Sequence, residues 1–581
     1  MKMPGVLRAL SGFQTSSDID RPEWRMVLVV GSLTLLVASL PYLIGYAAAT
    51  SEAVFSGFPL DPEDSYSHLA KMQQGFWGTW RYRLLFTPEE HSGVYLNTFY
   101  VALGHLSRLT RLPLLATYHL ARLLAGALLL GAAYRFISDF VLDRAQRRVA
   151  FLLLVTSSGL GWLLIAITGS FAPGGLTPMD FWLMDAYTFF TLMTFPHMIV
   201  AVALLLLVFH HTLVFWEKGG SGHLLGGFAL ALALTMILPF SPLLYGAPLA
   251  ACYGSLVVTR SFVSTAREPD LNPQAKATKS RGMIPARWRP VVSLAGLGLL
   301  PLPLVAYYAS ALQSDPILAS WSAQNITLSP PLVYTLLGYG LLTILAIPGG
   351  IHLWREGGRG RFLVLWIGMA LILMYLPFPF QRRMFEGLHV PVSIVATAGL
   401  YAWLRPWLAG SRLARWLAAR HYPPRRLLSV TTFLLVTLAA MSNLYFLAAL
   451  GVAMLGHSPE LYYSPDEMAA IEWLRQHTSP QATVLSSYPV GGLIPARIGH
   501  RVYWGHWCET AFLARKKADA AIIFAADTDQ ATRRALLTHY GVAYVFYGPR
   551  EQALGDFDPA NSPWLELALA HGDVSIYRVV K

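Results

Sequence analysis

Long apolar runs separated by short polar stretches dominate this chain. The first, Val27 to Ala49, is long enough to cross a bilayer, for which a helix needs about 20 apolar residues. It lacks a clear cleavage site and reads as a signal anchor. Further runs predict spans near 113–137, 149–168, 189–216, 291–312, 329–348, 362–379, 389–407 and 427–450. Two shorter runs, 223–239 and 243–259, flank Pro239-Phe240-Ser241-Pro242, whose prolines interrupt helical hydrogen bonding. The total is about eleven spans. A run at 94–107 is short and carries Asn97 and His105, which predicts a helix lying along the outer surface. Leu413, Trp416 and Leu417 among arginines predict another in the inner headgroup region.

From about residue 451 the period changes. Helical patterns at Asp466 to His477 and Gln530 to Tyr540 alternate with strand patterns at Thr483 to Ser486, Val542 to Tyr547 and Val574 to Val580. The expected fold is therefore a polytopic α-helical membrane protein with a small C-terminal extracytoplasmic α/β domain. Its expected parts are a cytoplasmic tail (1–25), a transmembrane core (26–450) and the α/β domain (451–581). The core includes a first outer loop (50–112) and a cytoplasmic linker (260–290).

Composition agrees. Of 581 residues 55% are hydrophobic and 13% charged, with a mean hydropathy of +0.46; soluble proteins carry roughly 25% charged residues. The net charge of +12 suggests nucleic acid only until the basic residues are placed. Most fall in short loops, as expected on the cytoplasmic side of a membrane. Arg8, Arg21 and Arg25 put the N-terminus inside and the loop after the first span outside. A single crossing at 113–137 then places Arg135, Arg144, Arg147 and Arg148 inside, and leaves Arg81, Arg83, Arg108 and Arg111 outside. The C-terminal domain falls outside, on what reads as a bacterial plasma membrane. The two cysteines, Cys252 and Cys508, fall on different sides and imply neither a disulfide framework nor a cysteine metal site.

The chemistry-bearing stretch is 58–91, FPLDPEDSYSHLAKMQQGFWGTWRYRLLFTPEEH. Asp61, Glu63 and Asp64 crowd together, which raises carboxylate pKa values and suits a base. A solvated acidic loop has the same composition. However, Tyr66, Leu69, Met72 and Phe76 follow at amphipathic helical spacing, which would pin the carboxylates at the membrane surface. Glu89, Glu90 and His91, with Asp180, Asp185 and His197, are the substrate-support or metal candidates, although their spacing matches no specific metal site. Arg382 and Arg383 are the adjacent arginine pair assigned to the outer boundary, against the positive-inside trend. A guanidinium fork suits a phosphate; interfacial arginines also simply reach for lipid headgroups. Tyr503-Trp504-Gly505-His506-Trp507 reads equally as a sugar-stacking cluster and as packing.

An acidic motif just after the first span, an aromatic two to three residues on, an outer surface helix and an outer C-terminal domain together resemble the GT-C superfamily. These are integral-membrane glycosyltransferases using polyprenyl-phosphate-linked sugars, and the nearest resemblance is to bacterial members. Superfamily members usually show Asp-Glu or Asp-x-Asp where this chain has Asp61-x-Glu63-Asp64. The resemblance implies inverting transfer, with Asp64 or Glu63 as base, Asp61 in support, and Arg382 and Arg383 on the donor phosphate. The acceptor, whether glycan, lipid or protein, is left open. No cofactor is demanded, and a divalent cation (Mg or Mn) is the candidate for one. Two other readings compete. A transporter or flippase of lipid-linked sugars predicts midplane charges and repeat symmetry, whereas the charges here gather in outer loops. A non-catalytic membrane protein would use the outer domain for binding.

Overall fold

The computed structural model describes residues 19–172, 175–265 and 284–580. The N-terminal tail up to residue 18 and the bulk of the expected 260–290 linker, 266–283, lie outside the described residues. The chain divides into two compact units, each assembled from separate stretches.

One unit holds residues 1–38, 122–305 and 327–447. Among the described residues of the whole chain, six helices are long and apolar enough to cross a membrane, or eight if each of two bent pairs is one span. The expected spans near 149–168 and 427–450 are those bent pairs. Arg144–Thr156 and Gly161–Thr168 meet at 49°, and the pair ending at Ala439 and starting at Met441 meets at 41°. Ser221–Ile237 and Gly360–Leu373 are apolar but short, and the expected 389–407 span runs as helix His389–Gly399 into a π-turn, Leu400–Leu404. These breaks account for the difference between about eleven apolar runs and the smaller number of continuous helices. Helices Leu332–Glu356 and His389–Gly399 approach backbone to backbone. A Cβ on Gly399 would stand 1.9 Å from the Leu345 carbonyl oxygen, and one on Gly349 2.0 Å from that of Val395. Small residues permit such packing where lipid supplies no hydrophobic drive.

The other unit holds residues 39–121, 306–326 and 448–581. Its sheet runs β3 (Thr483–Leu485), β4 (Val542–Tyr547), β6 (Val574–Val579), β5 (Leu565–His571), with β3 and β4 parallel and the remaining pairs antiparallel. Three of these strands and helices Pro465–His477 and Gln530–His539 fall where the sequence pattern puts them. Strand β5 was not anticipated, because its exposed face interrupts the apolar run. A two-stranded clasp, β1 (Val54–Phe55) with β2 (Tyr462–Tyr463), ties the first loop to this domain. The expected surface helix is Thr98–Thr110, and it packs against helix Pro62–Phe76 at glycine contacts. A Cβ on Gly104 would lie 2.1 Å from the Met72 oxygen, and one on Gly75 2.1 Å from that of Val101.

Candidate active site

Helix Pro62–Phe76 starts with proline at its first turn, where a missing N–H costs nothing. Its N-cap, Asp61, takes left-handed backbone angles (φ 42°, ψ 60°), and its carboxylate accepts from the Asp64 N–H at 3.4 Å. Aspartate is among the few residues that adopt this conformation readily. The turn gathers Asp61, Glu63 and Asp64 at the helix's positive end, which favours anions.

What holds these acids comes from the C-terminal stretch of the same unit. Strand β3 ends at Leu485, and Tyr488 opens helix Tyr488–Ile498 just beyond it. Glu63 accepts from the Tyr488 hydroxyl and from the Trp507 backbone N–H. Asp64 Oδ1 accepts from Trp507 Nε1 at 3.1 Å and lies 3.0 Å from His506 Nε2. The His506 Nδ1 faces the backbone N–H groups of Cys508 and Glu509, both at 3.2 Å. Nearby carboxylates favour an imidazolium, but Nδ1 must accept those two bonds, so the single proton sits on Nε2 and is donated to Asp64. The donors to Glu63 and Asp64 are thus a phenol, an amide, an indole and an imidazole. Burial, then the neighbouring Asp64, push the Asp61 carboxyl up to about 7, with the hydrogen bond from the Asp64 N–H opposing. That value suits a group that exchanges a proton at neutral pH.

Along the same helix Asp64, Ser67, Lys71 and Gln74 recur at helical spacing and share a face. Lys71 pairs with Glu509 at 2.7 Å, both fully buried, and Ser67 and the Tyr82 hydroxyl also donate to Glu509. Burial pushes the Glu509 carboxyl up, but the Lys71 charge and the hydrogen bonds from Lys71 and Ser67 outweigh it and hold it below the ordinary range. The expected amphipathic helix therefore buries both faces: Tyr66, Leu69 and Met72, expected to pin it at the membrane surface, pack in the core of this unit, and its polar face is a satisfied ionic network. Glu89 accepts from Thr87 and pairs with Lys516 at 2.7 Å. Burial lowers that lysine to about 8 against the pull of Glu89. Glu90 pairs with Arg501 at 2.6 Å on the surface. In His91, Nε2 accepts from the Leu84 N–H at 2.8 Å, and Nδ1 lies 3.0 Å from the Glu89 oxygen. Both ring nitrogens are engaged, which leaves neither for a metal.

The other unit holds the remaining candidates. Asp180 Oδ2 accepts from the Gly161 N–H at 3.0 Å, capping helix Gly161–Thr168. Asp185 pairs with Arg383 at 2.8 Å and Arg382 at 3.4 Å, both arginines lying in the 3₁₀ turn Gln381–Phe385. The Arg382 guanidinium also covers Trp182, 5.6 Å from the ring centre. Burial drives the Glu386 carboxyl well above its ordinary range, with Asp185 adding to the rise and the arginines opposing it. Glu386 lies buried beside this pair. His197 stands in the first turn of helix Pro196–Lys218, its ring stacked on Phe195 with centroids 5.9 Å apart.

The acidic motif thus forms one cluster, and Asp185 joins the arginine pair rather than a metal set. Among the described residues no group of three or more His, Cys, Asp or Glu side chains is arranged to hold a metal ion. The aromatic segment divides: Tyr503 and Trp504 are buried packing, with the Trp504 indole on the Ser486 oxygen, while His506 and Trp507 hold the acids. Tyr488, Lys71, Glu509 and Glu386 went unnoticed in the sequence. Lys71 falls among the polar positions of an amphipathic helix and carried no separate signal.

Neither family models nor characterised proteins match the chain by sequence. Among solved structures it is similar to the apo oligosaccharyltransferase of Archaeoglobus fulgidus, with a TM-score of 0.47 and 15% identity over 90% of this chain and 69% of that one. The archaeal oligosaccharyltransferase AglB from the same organism, in complex with an inhibitory peptide and a dolichol-phosphate, gives 0.45 and 15% over 88% and 69%. ArnT from Cupriavidus metallidurans bound to undecaprenyl phosphate gives 0.46 and 12% over 94% and 98%. At such scores no residue role, substrate or activity is carried across.

Proposed function

We propose that this protein is a membrane glycosyltransferase that moves a sugar from a polyprenyl-phosphate donor to an acceptor hydroxyl with inversion. The observation that carries the reading is the acidic first turn: three carboxyls crowded together, two held by uncharged donors, and Asp61 poised near neutrality. Asp61 or Asp64 takes the acceptor's hydroxyl proton, and the oxygen attacks the anomeric carbon. The bond from that carbon to the phosphate oxygen breaks, and its electron pair leaves on the lipid phosphate. The resemblance assigns that developing anion to Arg382 and Arg383, the pair that holds Asp185. Glu63 and Asp64 each accept from two donors, and Glu63, whose charge acts on Asp61 more weakly than that of Asp64, positions the turn rather than exchanging protons. The polyprenyl phosphate comes from the sequence resemblance; the base comes from the geometry.

The test is transfer by the purified full-length protein in proteoliposomes supplied with polyprenyl-phosphate sugars and a panel of acceptors. Covalent glycosylated product is expected, and its loss in Asp64→Asn and Asp61→Asn while both variants remain folded. Flux of the lipid-linked sugar across the bilayer with no covalent product would overturn the reading in favour of a transporter.

A further inference from the structure

Arg81 and Arg83, which the positive-inside pattern leaves on the unexpected side, line a cavity of about 390 Å³ together with Arg501, Trp77, Gln74 and Gln481. The cavity lies within the unit that carries the acidic turn but at the other end of helix Pro62–Phe76, roughly 20 Å away at 1.5 Å rise per residue. Its size falls within the range of small-ligand sites.

The walls are built rather than incidental. Gln74 fixes the arginine-bearing segment by a reciprocal pair: its Nε2 donates to the Arg83 oxygen at 2.8 Å, and its Oε1 accepts from the Arg83 N–H at 2.9 Å. Tyr82 and Val94 bridge on either side of it. Gly93 lets the two arginines lie over the backbone, since a Cβ there would be 3.0 Å from Arg81 Cβ and 3.3 Å from Arg83 Cγ. Gly499, at φ +70°, leaves space for Trp77, whose ring would be 2.2 Å from a Cβ.

Charge is unbalanced in this cavity. Arg501 is half-satisfied by Glu90 at 2.6 Å and the Pro88 oxygen at 3.2 Å. Arg81 lies over the Tyr95 ring, 5.5 Å from its centre. The Arg83 guanidinium reaches no carboxylate among the described residues. Three guanidiniums and an exposed indole face one space, and one surface carboxylate answers them.

We infer that this cavity binds an anionic saccharide group, its phosphate or carboxylate on Arg81, Arg83 and Arg501 and its ring face against Trp77. Guanidinium forks match both anions, and an indole offers the flat apolar surface a sugar ring stacks on. The group belongs either to a soluble acidic glycan or to the headgroup of an anionic glycolipid. The inference goes beyond the proposed transfer and does not depend on it, because binding is read without turnover.

The experiment is calorimetry on the full-length protein in nanodiscs, titrated with glucose 6-phosphate, glucuronate and glucose, first in zwitterionic lipid. The two acidic sugars are expected to bind and glucose to bind much more weakly. Arg81→Gln with Arg83→Gln should weaken the acidic sugars at least about tenfold. Glu90→Gln, which removes the competing carboxylate from an exposed position, should tighten them about threefold. Nanodiscs carrying an anionic glycolipid separate the two sources: arginine-dependent competition by that lipid assigns the pocket to headgroups, and its absence assigns it to soluble glycans. Equal binding of acidic and neutral sugars, or acidic binding unchanged in the double variant, would overturn the inference.

Discussion

In the first turn of helix Pro62–Phe76, Glu63 and Asp64 rest on a phenol, an amide, an indole and an imidazole. In the turn Gln381–Phe385, Asp185 rests on two guanidiniums, and burial holds its neighbour Glu386 well above the ordinary carboxyl range. The side chains being held are alike, but the donors differ. Uncharged donors hold a carboxylate in place without cancelling its charge, and crowding then lifts a neighbour toward neutrality. Cationic donors cancel the charge and bring guanidinium forks, which match a phosphate. The first arrangement suits proton exchange and the second suits an incoming anion.

Three experiments can break or sharpen that contrast. The largest effect should follow from removing the proton acceptor. Asp61→Asn or Asp64→Asn should lower kcat by roughly 10²–10⁴-fold, whereas Glu63→Gln should cost less than about tenfold. Equal losses in all three would erase the distinction between exchanging and positioning acids. Next, Arg382→Gln with Arg383→Gln should reduce kcat/KM for the lipid-phosphate donor by roughly 10²-fold and leave binding of acceptor unaltered; a loss confined to thermal stability would make Asp185 and the arginines a structural pair only. The smallest effect is on pH. Asp61 serves as base when deprotonated, so the rate should climb as pH rises through about 7, and Asp61→Asn should abolish that limb. Stability has the opposite sign. A carboxyl raised from 3.8 to about 7 contributes fully below pH 3.8 and loses its contribution as pH rises through about 7.

Much of this fold was legible because its main signals are one-dimensional. Apolar runs report spans whatever their packing, and alternation reported β3, β4 and β6. Helix breaks were read only where proline announced them, at Pro239 and Pro242; the bend after Thr156 falls at Ser157-Ser158-Gly159-Leu160-Gly161, a mark hidden within a long apolar run, and the bend after Ala439 has no proline or glycine beside it. The acidic turn was visible as a cluster of like charges, and Asp61, Glu63 and Asp64 do share one site. Their ranking was not visible. Glu63 looked as good a base as Asp64, and each proves to be held by two donors; what separates them is the stronger effect of the Asp64 charge on Asp61, which itself gained weight from burial. The donors on both lie more than 400 positions away in sequence. Asp185 could not be assigned to the arginine pair for the same reason, since 198 positions separate it from Arg383.

Lys71 and Glu509 are 438 residues apart, and that separation has a consequence during synthesis. At roughly 5–20 residues per second, the lysine is made some 20–90 s before its counter-ion. Until then helix Pro62–Phe76 carries a polar face with no network to receive it, and β1 waits equally for β2. The loop at 50–112 therefore completes its fold only when the end of the chain arrives. A chain cut between residues 455 and 509 would carry every apolar span and still lack an assembled acidic turn.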